Sequence, residues 1–381
     1  MAKQGFKVFD SDLHIMEPMD LWERYIDKEF KHLAPRGTNN QIGDLRLIHP
    51  DGTPYGIEPR LGEQRTDIVT LSDRNRERYR DHAERSWTNA VQLEAMDIEG
   101  VDVATIYPTR GLHAVDQPDL DPKLHAAVAR AYNNWLYDFC QINPNRMRGV
   151  AMISPWDIND AVSETRRAVK ELGFVGVFLR PNEVGGRNWH DPYYEPLWST
   201  LEELDAPLGF HEGVGTRLPE VGSQFKGNFM LRHTYCHSVE QMLAVGSFCG
   251  GGIFHRHPKL RVAFLEGNCS WLPWLLYRLD EHWEQTGERD APELTMAPSE
   301  YFKRQGFASA EADEDPVKYV IDFMGSERIV FSTDYPHNDS KYPTSVERFL
   351  RIDISEEDKR KILWDNCAER LYNVRVPQST R

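Results

Sequence analysis

The 381-residue chain lacks the features that mark several large classes of protein. It has no excess of basic residues, because 45 Lys and Arg against 60 Asp and Glu give a formal net charge of −15. Phosphate backbones and anionic membrane surfaces are bound by basic patches, so we expect neither a nucleic-acid partner nor a membrane partner. No apolar run approaches the roughly 18 residues of a membrane-spanning helix, and the N-terminus lacks the basic-then-apolar pattern of a signal peptide.

Cysteine is also scarce. The five cysteines are scattered, odd in number and never spaced as CxxC. A disulfide framework or a thiolate zinc site would need paired spacings, whereas buried thiols suit a reducing compartment, so we expect a cytoplasmic protein. Hydrophobic residues make up 40% of the chain and charged residues 28%, as in ordinary globular proteins. The length allows two average domains or one large barrel.

Eight short β-rich segments recur along the chain, and amphipathic stretches lie between most of them. Most of the eight are continuous apolar runs, which are typical of parallel strands covered on both faces. Strands that alternate with helices in this way predict an α/β fold, a single (β/α)8 TIM barrel. The predicted strands span residues 7–12, 101–108, 148–154, 174–180, 207–211, 260–266, 302–309 and 328–334, and the clearest helices span 121–140, 160–173 and 195–205.

Two regions interrupt this series. Residues 30–90 are polar and turn-rich and then strongly charged, which indicates an insertion after the first strand. It is a lid or a subunit contact, or equally a solvated excursion at the surface. Residues 356–374 form an amphipathic pattern that predicts a C-terminal helix packed on the outside of the barrel.

Polar side chains stand at the C-terminal ends of four predicted strands, where the catalytic groups of such a barrel lie. Strand one ends in Asp12 and His14, strand five in His211, strand six in Glu266 and strand eight in Asp334. Asp12 and His14 are two residues apart, so they leave a strand on the same side and can hold one ion. One such residue alone is more often a helix cap or a core group. The joint pattern favours a divalent-metal site with mixed nitrogen and oxygen ligands, which suits Zn, Mn, Fe or Co.

Four further residues near this predicted site have open alternatives. Glu17 is a metal ligand, an acceptor for His14, or only a cap of its loop. His233 and His237 are four residues apart and would share one face of a helix, so His237 could be a ligand or could act through packing. Asp10 could simply form hydrogen bonds within the barrel.

The candidate substrate-binding residues also follow strands. Arg180 and Arg110 could bind a substrate carboxylate through a bidentate guanidinium, or could close the barrel rim as ion-pair residues. His337 could contact substrate or lie on a surface loop. His113 and Tyr107 are weaker candidates of the same kind.

Five segments resemble the amidohydrolase-related branch of the amidohydrolase superfamily, which includes the aminocarboxymuconate-semialdehyde decarboxylase-like enzymes. The resemblance covers nearly the whole chain apart from residues 30–90. It implies a TIM barrel and a metal bound at positions that match Asp12, His14, His211 and Asp334. It also implies an oligomer, either of this chain alone or with a paralogous subunit. The segments are DSDLHIMEP, FHEG, HPKLRVAFLEGNCSWLPWLLYRLDEHW, FSTDYPHNDSKYP and ILWDNCAERLY.

Two departures from the pattern of this branch bear on function. The strand-one pair is commonly His-x-His or Glu-x-His, and here it is Asp12-x-His14. The decarboxylases of the branch carry a His at the end of strand six that is thought to protonate or orient the substrate, and here Glu266 stands in its place. That change weakens the case for decarboxylation and favours a second metal. A carboxylate-rich site without thiolates favours hard ions such as Mn and Fe.

These observations favour a dinuclear Fe or Mn enzyme that uses O2 to hydroxylate a small carboxylate-bearing substrate, as some members of the branch do. His14 and His211 would anchor one ion, and Glu266 would recruit the second. Asp334, Glu266 and His237 are the predicted catalytic residues. The alternative is a mononuclear Zn or Mn hydrolase or non-oxidative decarboxylase with Asp334 as the base. A third hypothesis is a non-catalytic metal-binding subunit that partners a paralogue.

Overall fold

The structure is a computed structural model that describes residues 3–37, 47–48, 51–52, 71–118, 120–225 and 227–374. Eight of its strands form one parallel sheet, and two short strands form a separate antiparallel sheet. The strands are β1 (Phe9–Ile15), β2 (Arg36–Gly37), β3 (Leu47–Ile48), β4 (Val103–Pro108), β5 (Met147–Met152), β6 (Gly176–Leu179), β7 (Leu208–His211), β8 (Val262–Leu265), β9 (Gly306–Ala310) and β10 (Ile329–Phe331).

Helices lie between the strands of the large sheet. The α-helices are α1 (Leu21–Tyr25), α2 (Leu71–Arg78), α3 (Arg80–Glu84), α4 (Asn89–Glu99), α5 (Pro122–Cys140), α6 (Ile158–Lys170), α7 (Glu195–Glu203), α8 (Phe229–Cys249), α9 (Ile253–Arg256), α10 (Leu272–Asp290), α11 (Pro298–Gln305), α12 (Val317–Met324), α13 (Ser345–Phe349) and α14 (Glu356–Arg360). Short 3-10 segments span Lys28–Leu33, Arg110–His113 and Pro192–Tyr194, and a π-helical segment spans Lys361–Leu371.

The large sheet curls into a nearly closed barrel. Its strands follow the order β1-β4-β5-β6-β7-β8-β9-β10, and the two end strands meet through side chains. The hydroxyl of Ser11 donates to the carbonyl of Phe331 over 2.8 Å. The carboxylate of Asp10 accepts from the backbone N–H and the hydroxyl of Thr333. These contacts close the sheet, and the predicted TIM barrel is confirmed.

One predicted strand begins later than the sequence pattern suggested. Residues 302–305 belong to α11, and β9 begins at Gly306. Tyr301 and Phe302 are fully buried on the inner face of this helix, whereas Lys303 and Arg304 are more exposed. Three polar residues follow Phe302, which does not fit a covered strand, and Pro298 in the first turn is the local signal for the helix.

The C-terminal region covers the outside of β1 and β10. The α14 helix continues into the π-helical segment, in which Ile362, Leu363, Cys367 and Leu371 are fully buried. The amide of Asn366 donates to the carbonyls of Ser326 and Ile329, each over 2.7 Å, and so fastens this segment next to β10.

Part of the polar region 30–90 covers the loop that follows β10. The amide of Asn75 donates to the side-chain oxygen of Asn338 over 2.9 Å, and Arg78 donates to the carbonyl of Ser340 over 2.9 Å. Residues 38–46, 49–50 and 53–70 lie outside the described residues, so its role as a lid or subunit contact stays a prediction. Within the described ranges, no helix is long and apolar enough to cross a membrane.

Candidate metal centre

Three side chains converge where β1 and β7 end, the first and fifth strands of the barrel. The imidazole of His14 donates from Nδ1 to the carbonyl of Pro108 over 2.7 Å, and that of His211 from Nδ1 to the carbonyl of Glu212 over 2.6 Å. Both rings therefore turn Nε2 inward, and the two Nε2 atoms are 2.8 Å apart. Asp12 faces both, with Oδ1 at 3.3 Å from His14 Nε2 and Oδ2 at 3.2 Å from His211 Nε2.

An aromatic ring supports this group from inside the barrel. Tyr107 on β4 packs against both imidazoles, with ring centroids 6.2 Å from His14 and 5.6 Å from His211. A Cβ atom at position 209 would lie 2.3 Å from the Tyr107 hydroxyl oxygen, so Gly209 makes room for the ring. Tyr107 therefore helps to orient the two imidazoles, and its role as a substrate contact stays a prediction.

Two more carboxylates reach the same point from the ends of β8 and β10, the sixth and eighth barrel strands. Glu266 Oε2 lies 2.9 Å from His211 Nε2, and Asp334 Oδ1 lies 3.5 Å from His14 Nε2. Both residues have left-handed backbone conformations, with φ of 48° for Glu266 and 52° for Asp334. Non-glycine residues rarely adopt this region, and such outliers cluster at functional sites, where they aim side chains.

Two further imidazoles lie beside these carboxylates. His337 Nδ1 is 2.7 Å from Asp334 Oδ1, and its ring stacks on that of His14 with centroids 3.9 Å apart. Its Nε2 is 3.1 Å from the hydroxyl of Thr109, a contact that sequence patterns do not reveal. His237 on α8 faces Glu266, with Nε2 3.4 Å from Oε1.

The carboxylate oxygens of this cluster have the character of a cation site. The carboxylate oxygens of Asp12, Asp334 and Glu266 in this cluster are buried, and the donors that face them are ring nitrogens of neighbouring histidines. Burying several carboxylates together is costly, whereas a divalent ion shared with these imidazoles would compensate their charge. The donor set of imidazole nitrogens and carboxylate oxygens is one that Zn, Mn and Fe accept, so the residues fit a metal.

The electrostatics of the two anchoring histidines differ. Burial, together with the adjacent imidazoles of His337 and His211, lowers the pKa of His14 to about 4. Burial also lowers the pKa of His211, but the carboxylates of Asp12 and Glu266 outweigh it and raise the value to about 9. His14 is therefore ready to offer a lone pair, whereas a metal would have to displace a proton from His211.

Glu17 lies outside this group. Its carboxylate accepts backbone N–H bonds from Arg110 and Gly111, each over 2.9 Å, and a longer one from Thr109. It thereby caps the 3-10 segment after β4, and it does not belong to any of the metal-capable groups within the described residues. The geometry favours the loop-capping alternative over the metal-ligand alternative.

The arginine candidates are buried beside the site. Arg180 pairs with Glu212 over 3.1 Å and donates to the carbonyls of Leu112 and Gly213. This arrangement favours the rim-closing alternative for Arg180. Arg110 is also buried, which lowers the pKa of its guanidinium to about 10 although Glu17 opposes the shift. A substrate role for Arg110 stays a prediction.

His113 is also held by a neighbouring carboxylate. Its Nδ1 lies 3.2 Å from Asp116 Oδ2. Asp116 in turn accepts from the hydroxyl of Thr216 over 2.7 Å. This network indicates a structural position for His113.

Comparison with known proteins identifies a family whose model matches nearly the whole chain. The model of the family Amidohydro_2, described as amidohydrolase, matches residues 9–374. The 2-amino-3-carboxymuconate-6-semialdehyde decarboxylase of Dictyostelium discoideum is 26% identical over 300 residues, which cover 77% of this chain and 79% of the relative. The gamma-resorcylate decarboxylase of Rhodococcus jostii is 30% identical over 253 residues, covering 63% and 75%. The 2-keto-4-carboxy-3-hexenedioate hydratase of a Sphingobium is 30% identical over 299 residues, covering 74% and 82%.

A solved structure shares the fold. The dihydroxybenzoic acid decarboxylase from Polaromonas, with bound manganese and 2-nitroresorcinol, covers 96% of both chains with a TM-score of 0.65 at 20% sequence identity. The names of these relatives favour the non-oxidative alternative and do not support the O2-dependent hydroxylase that the sequence favoured. The manganese belongs to that structure, and at 20% sequence identity the likeness shows the shared fold.

Proposed function

The chain belongs to the Amidohydro_2 family of the amidohydrolase superfamily, and from this premise we propose that it is a metal-dependent, non-oxidative decarboxylase of a small unsaturated carboxylate. One observation carries the proposal. The metal-capable group of Asp12, His14 and His211 lies directly beside the Asp334–His337 pair, so a site for an ion and a site for a proton meet at one end of the barrel. The decarboxylase names of several relatives support it.

The ion would be held by Asp12, His14, His211 and Asp334. We propose manganese, because oxygen ligands favour hard ions and a related structure contains it. A divalent ion bound there would supply Lewis acidity toward an oxygen atom of the substrate. The buried carboxylates that would hold it face imidazole nitrogens of the same cluster, so both kinds of donor atom point at one place.

The proton is the second requirement of the reaction. Decarboxylation breaks the bond between the substrate carbon and its carboxylate, CO2 leaves, and the electron pair stays on the carbon. That carbon must then take up a proton, so a carboxylate and one proton give a C–H bond and CO2 without any oxidant. Asp334 Oδ1 and His337 Nδ1, 2.7 Å apart, can hold and deliver that proton. Thr109 orients the ring through its hydroxyl, 3.1 Å from Nε2.

The missing His at the end of β8 weakened the case for decarboxylation in the sequence, but other imidazoles lie close to its position. Glu266 occupies that position, but His237 and His337 approach its Oε1 to 3.4 Å and 3.8 Å. The mouth of the barrel is therefore supplied with imidazoles from α8 and from the loop after β10. His337 can take the orienting or proton-transferring role that the resemblance ascribes to the missing residue.

An assay with defined products tests the proposal. Protein loaded with manganese should convert 2,6-dihydroxybenzoate or a related hydroxylated or dienoic carboxylate to equal amounts of CO2 and the product with one carboxylate fewer, in the absence of O2. Substrate loss and CO2 release are measured together by chromatography and gas analysis. Consumption of O2 with a hydroxylated product would contradict the proposal and restore the oxygenase hypothesis.

The hydratase relative favours a second candidate, addition of water to a carbon–carbon double bond of a carboxylate substrate. In the same assay this reaction raises the product mass by one water and releases no CO2.

For either reaction, His337→Gln should lower kcat by roughly 10²–10⁴-fold, the usual contribution of a general acid or base. His282→Ala, on the exposed surface of α10, is the matched control and should leave kcat unchanged.

A further inference from the structure

Two histidines of α8 approach the metal-capable group from the solvent side. His233 and His237 are one helical turn apart, and their ring centroids are 4.2 Å from each other. The ligand atoms of His233, His237 and Glu266 all lie within 4.8 Å of one another. Metal–nitrogen and metal–oxygen bonds of about 2.0–2.2 Å bring ligand atoms to such separations around one ion. Two histidines four residues apart on a helix are a familiar metal-binding arrangement.

The helix is held in this position by its own polar side chains. The amide of Gln241, one turn after His237, donates to the carbonyls of Phe210 and Leu265 over 3.1 and 2.6 Å. These carbonyls lie in β7 and β8, so the contact fixes α8 over the two strands that precede His211 and Glu266. A Cβ atom at position 267 would lie 2.8 Å from Gln241 Cγ, so Gly267 permits the close approach.

Glu266 lies between the two histidine groups. Its Oε2 is 2.9 Å from His211 Nε2, whereas its Oε1 is 3.4 Å from His237 Nε2. One carboxylate therefore turns one oxygen toward each group, which is how a carboxylate bridges two cations.

An ion pair between Glu266 and a protonated His237 is the simpler explanation of one contact. It leaves the position of His233 unexplained, although this ring packs against that of His237 at a tilt of 35° and its ligand atom is within reach of Glu266. A further carboxylate, Asp339, lies with Oδ2 3.8 Å from His233 Nε2. Two histidines and a further carboxylate on one side of Glu266 are better explained by a cation than by a single ion pair.

We propose that His233, His237 and Glu266 form a second divalent-cation site, which shares Glu266 with the group of Asp12, His14 and His211. The two sites differ in exposure. The side chains of the first group are fully buried, whereas the side chain of His233 is 31% exposed. The second ion therefore binds more weakly and exchanges with solvent more readily than the first. This site does not depend on the identity of the reaction.

Metal content measures the second site directly. Chelator-treated full-length protein is titrated with Mn²⁺ and analysed for bound manganese per chain after equilibrium dialysis. The wild type should bind two ions with different affinities. His233→Ala and His237→Ala should each bind one ion, and His282→Ala, a surface histidine on α10, should still bind two.

Three results would overturn the proposal. They are a single ion in the wild type at saturating Mn²⁺, two ions retained in both α8 variants, or loss of both ions in His233→Ala. Thermal unfolding of each variant checks that the fold is retained, and the partly exposed His233 provides a variant that is expected to fold even if His237→Ala does not. Because CO2 release is not the readout, the result is separate from the test of the decarboxylase proposal.

Discussion

Carboxylates that are close in the sequence have different tasks in this barrel. Asp10 and Asp12 both lie fully buried on β1. The oxygens of Asp10 accept from the N–H groups of Asp12 and Thr333 and from the Thr333 hydroxyl. Those of Asp12 face the ring nitrogens of His14 and His211. A buried carboxylate satisfied by backbone N–H and hydroxyl groups holds the fold together, whereas one that faces imidazoles can share a cation with them.

Glu17 provides a test of this distinction. Glu17→Gln replaces a carboxylate that accepts three backbone N–H bonds with an amide whose NH2 group cannot accept any. We expect the free energy of unfolding to fall by roughly 1.5–3 kcal/mol, the contribution of one hydrogen bond to a charged group. Denaturant unfolding measures the loss.

The manganese content of Glu17→Gln should equal that of the wild type. Asp12→Asn is the comparison, because it alters a carboxylate of the metal-capable group and should lower the content. A loss of manganese in Glu17→Gln would restore Glu17 as a ligand.

At the scale of elements, α8 is the helix that brings a second set of imidazoles to the barrel mouth. Gln241 holds this helix against the barrel, because its side-chain amide donates to carbonyls of two neighbouring strands. The periodicity of α8 predicts which residues share a face, but it does not predict that the face is directed at strand ends. The same helix carries Glu240, which accepts from the backbone N–H of Val221 over 2.6 Å and anchors the preceding loop.

Gln241→Leu tests whether manganese binding depends on the position of α8, because the variant keeps both histidines of the helix and removes the amide that holds it. Removing the amide leaves two buried carbonyls without this donor, at a cost of about 1–3 kcal/mol for each unsatisfied group. We expect lower stability together with weaker binding of the second manganese ion, measured by dialysis.

Gln305→Leu is the matched control. Gln305 of α11 likewise donates to two carbonyls, those of His257 and Leu260, but it does so before β8 begins. It should lower stability without changing manganese binding. Equal manganese affinity in Gln241→Leu and the wild type would contradict a positioning role for Gln241.

At the scale of the molecule, the barrel brings residues from distant parts of the chain to one end of its axis. Asp12 and Asp334 are ligand candidates because β1 and β10 are neighbours, although they are near opposite ends of the sequence. The described part of region 30–90 then covers the loop after β10 through Asn75 and Arg78. Assembly into an oligomer, with or without a paralogue, stays a prediction.

The molecule as a whole should depend on its metal for stability. An ion that binds only the folded protein stabilises it by about 2.7 kcal/mol at 100 times its Kd. Chelation should therefore lower the Tm, and Mn²⁺ should restore it. The Tm of Asp12→Asn should respond less to Mn²⁺ than that of the wild type. An identical Tm with and without Mn²⁺ in the wild type would contradict a site in this cluster.

Sequence pattern alone predicted the barrel, which the structure confirms, and it predicted polar residues at the barrel mouth, whereas the oxygenase chemistry that it favoured is not supported by the relatives. Apolar runs that alternate with amphipathic segments are local signals, and so are polar residues that interrupt a strand at its end. The pattern also brought Asp12, His14, His211, Glu266 and Asp334 together as one group.

The tertiary structure was needed to separate residues of one chemical type by their partners. The carboxylate of Asp10 is satisfied by Thr333, 323 positions away, and that of Glu17 by the backbone of Arg110, 93 positions away. His337 lies in the loop after β10 and His237 lies on α8, and the positions of both elements depend on such distant contacts. Whether a buried acid is a structural acceptor or a ligand depends on which donors surround it, and those donors are assembled only when the barrel closes.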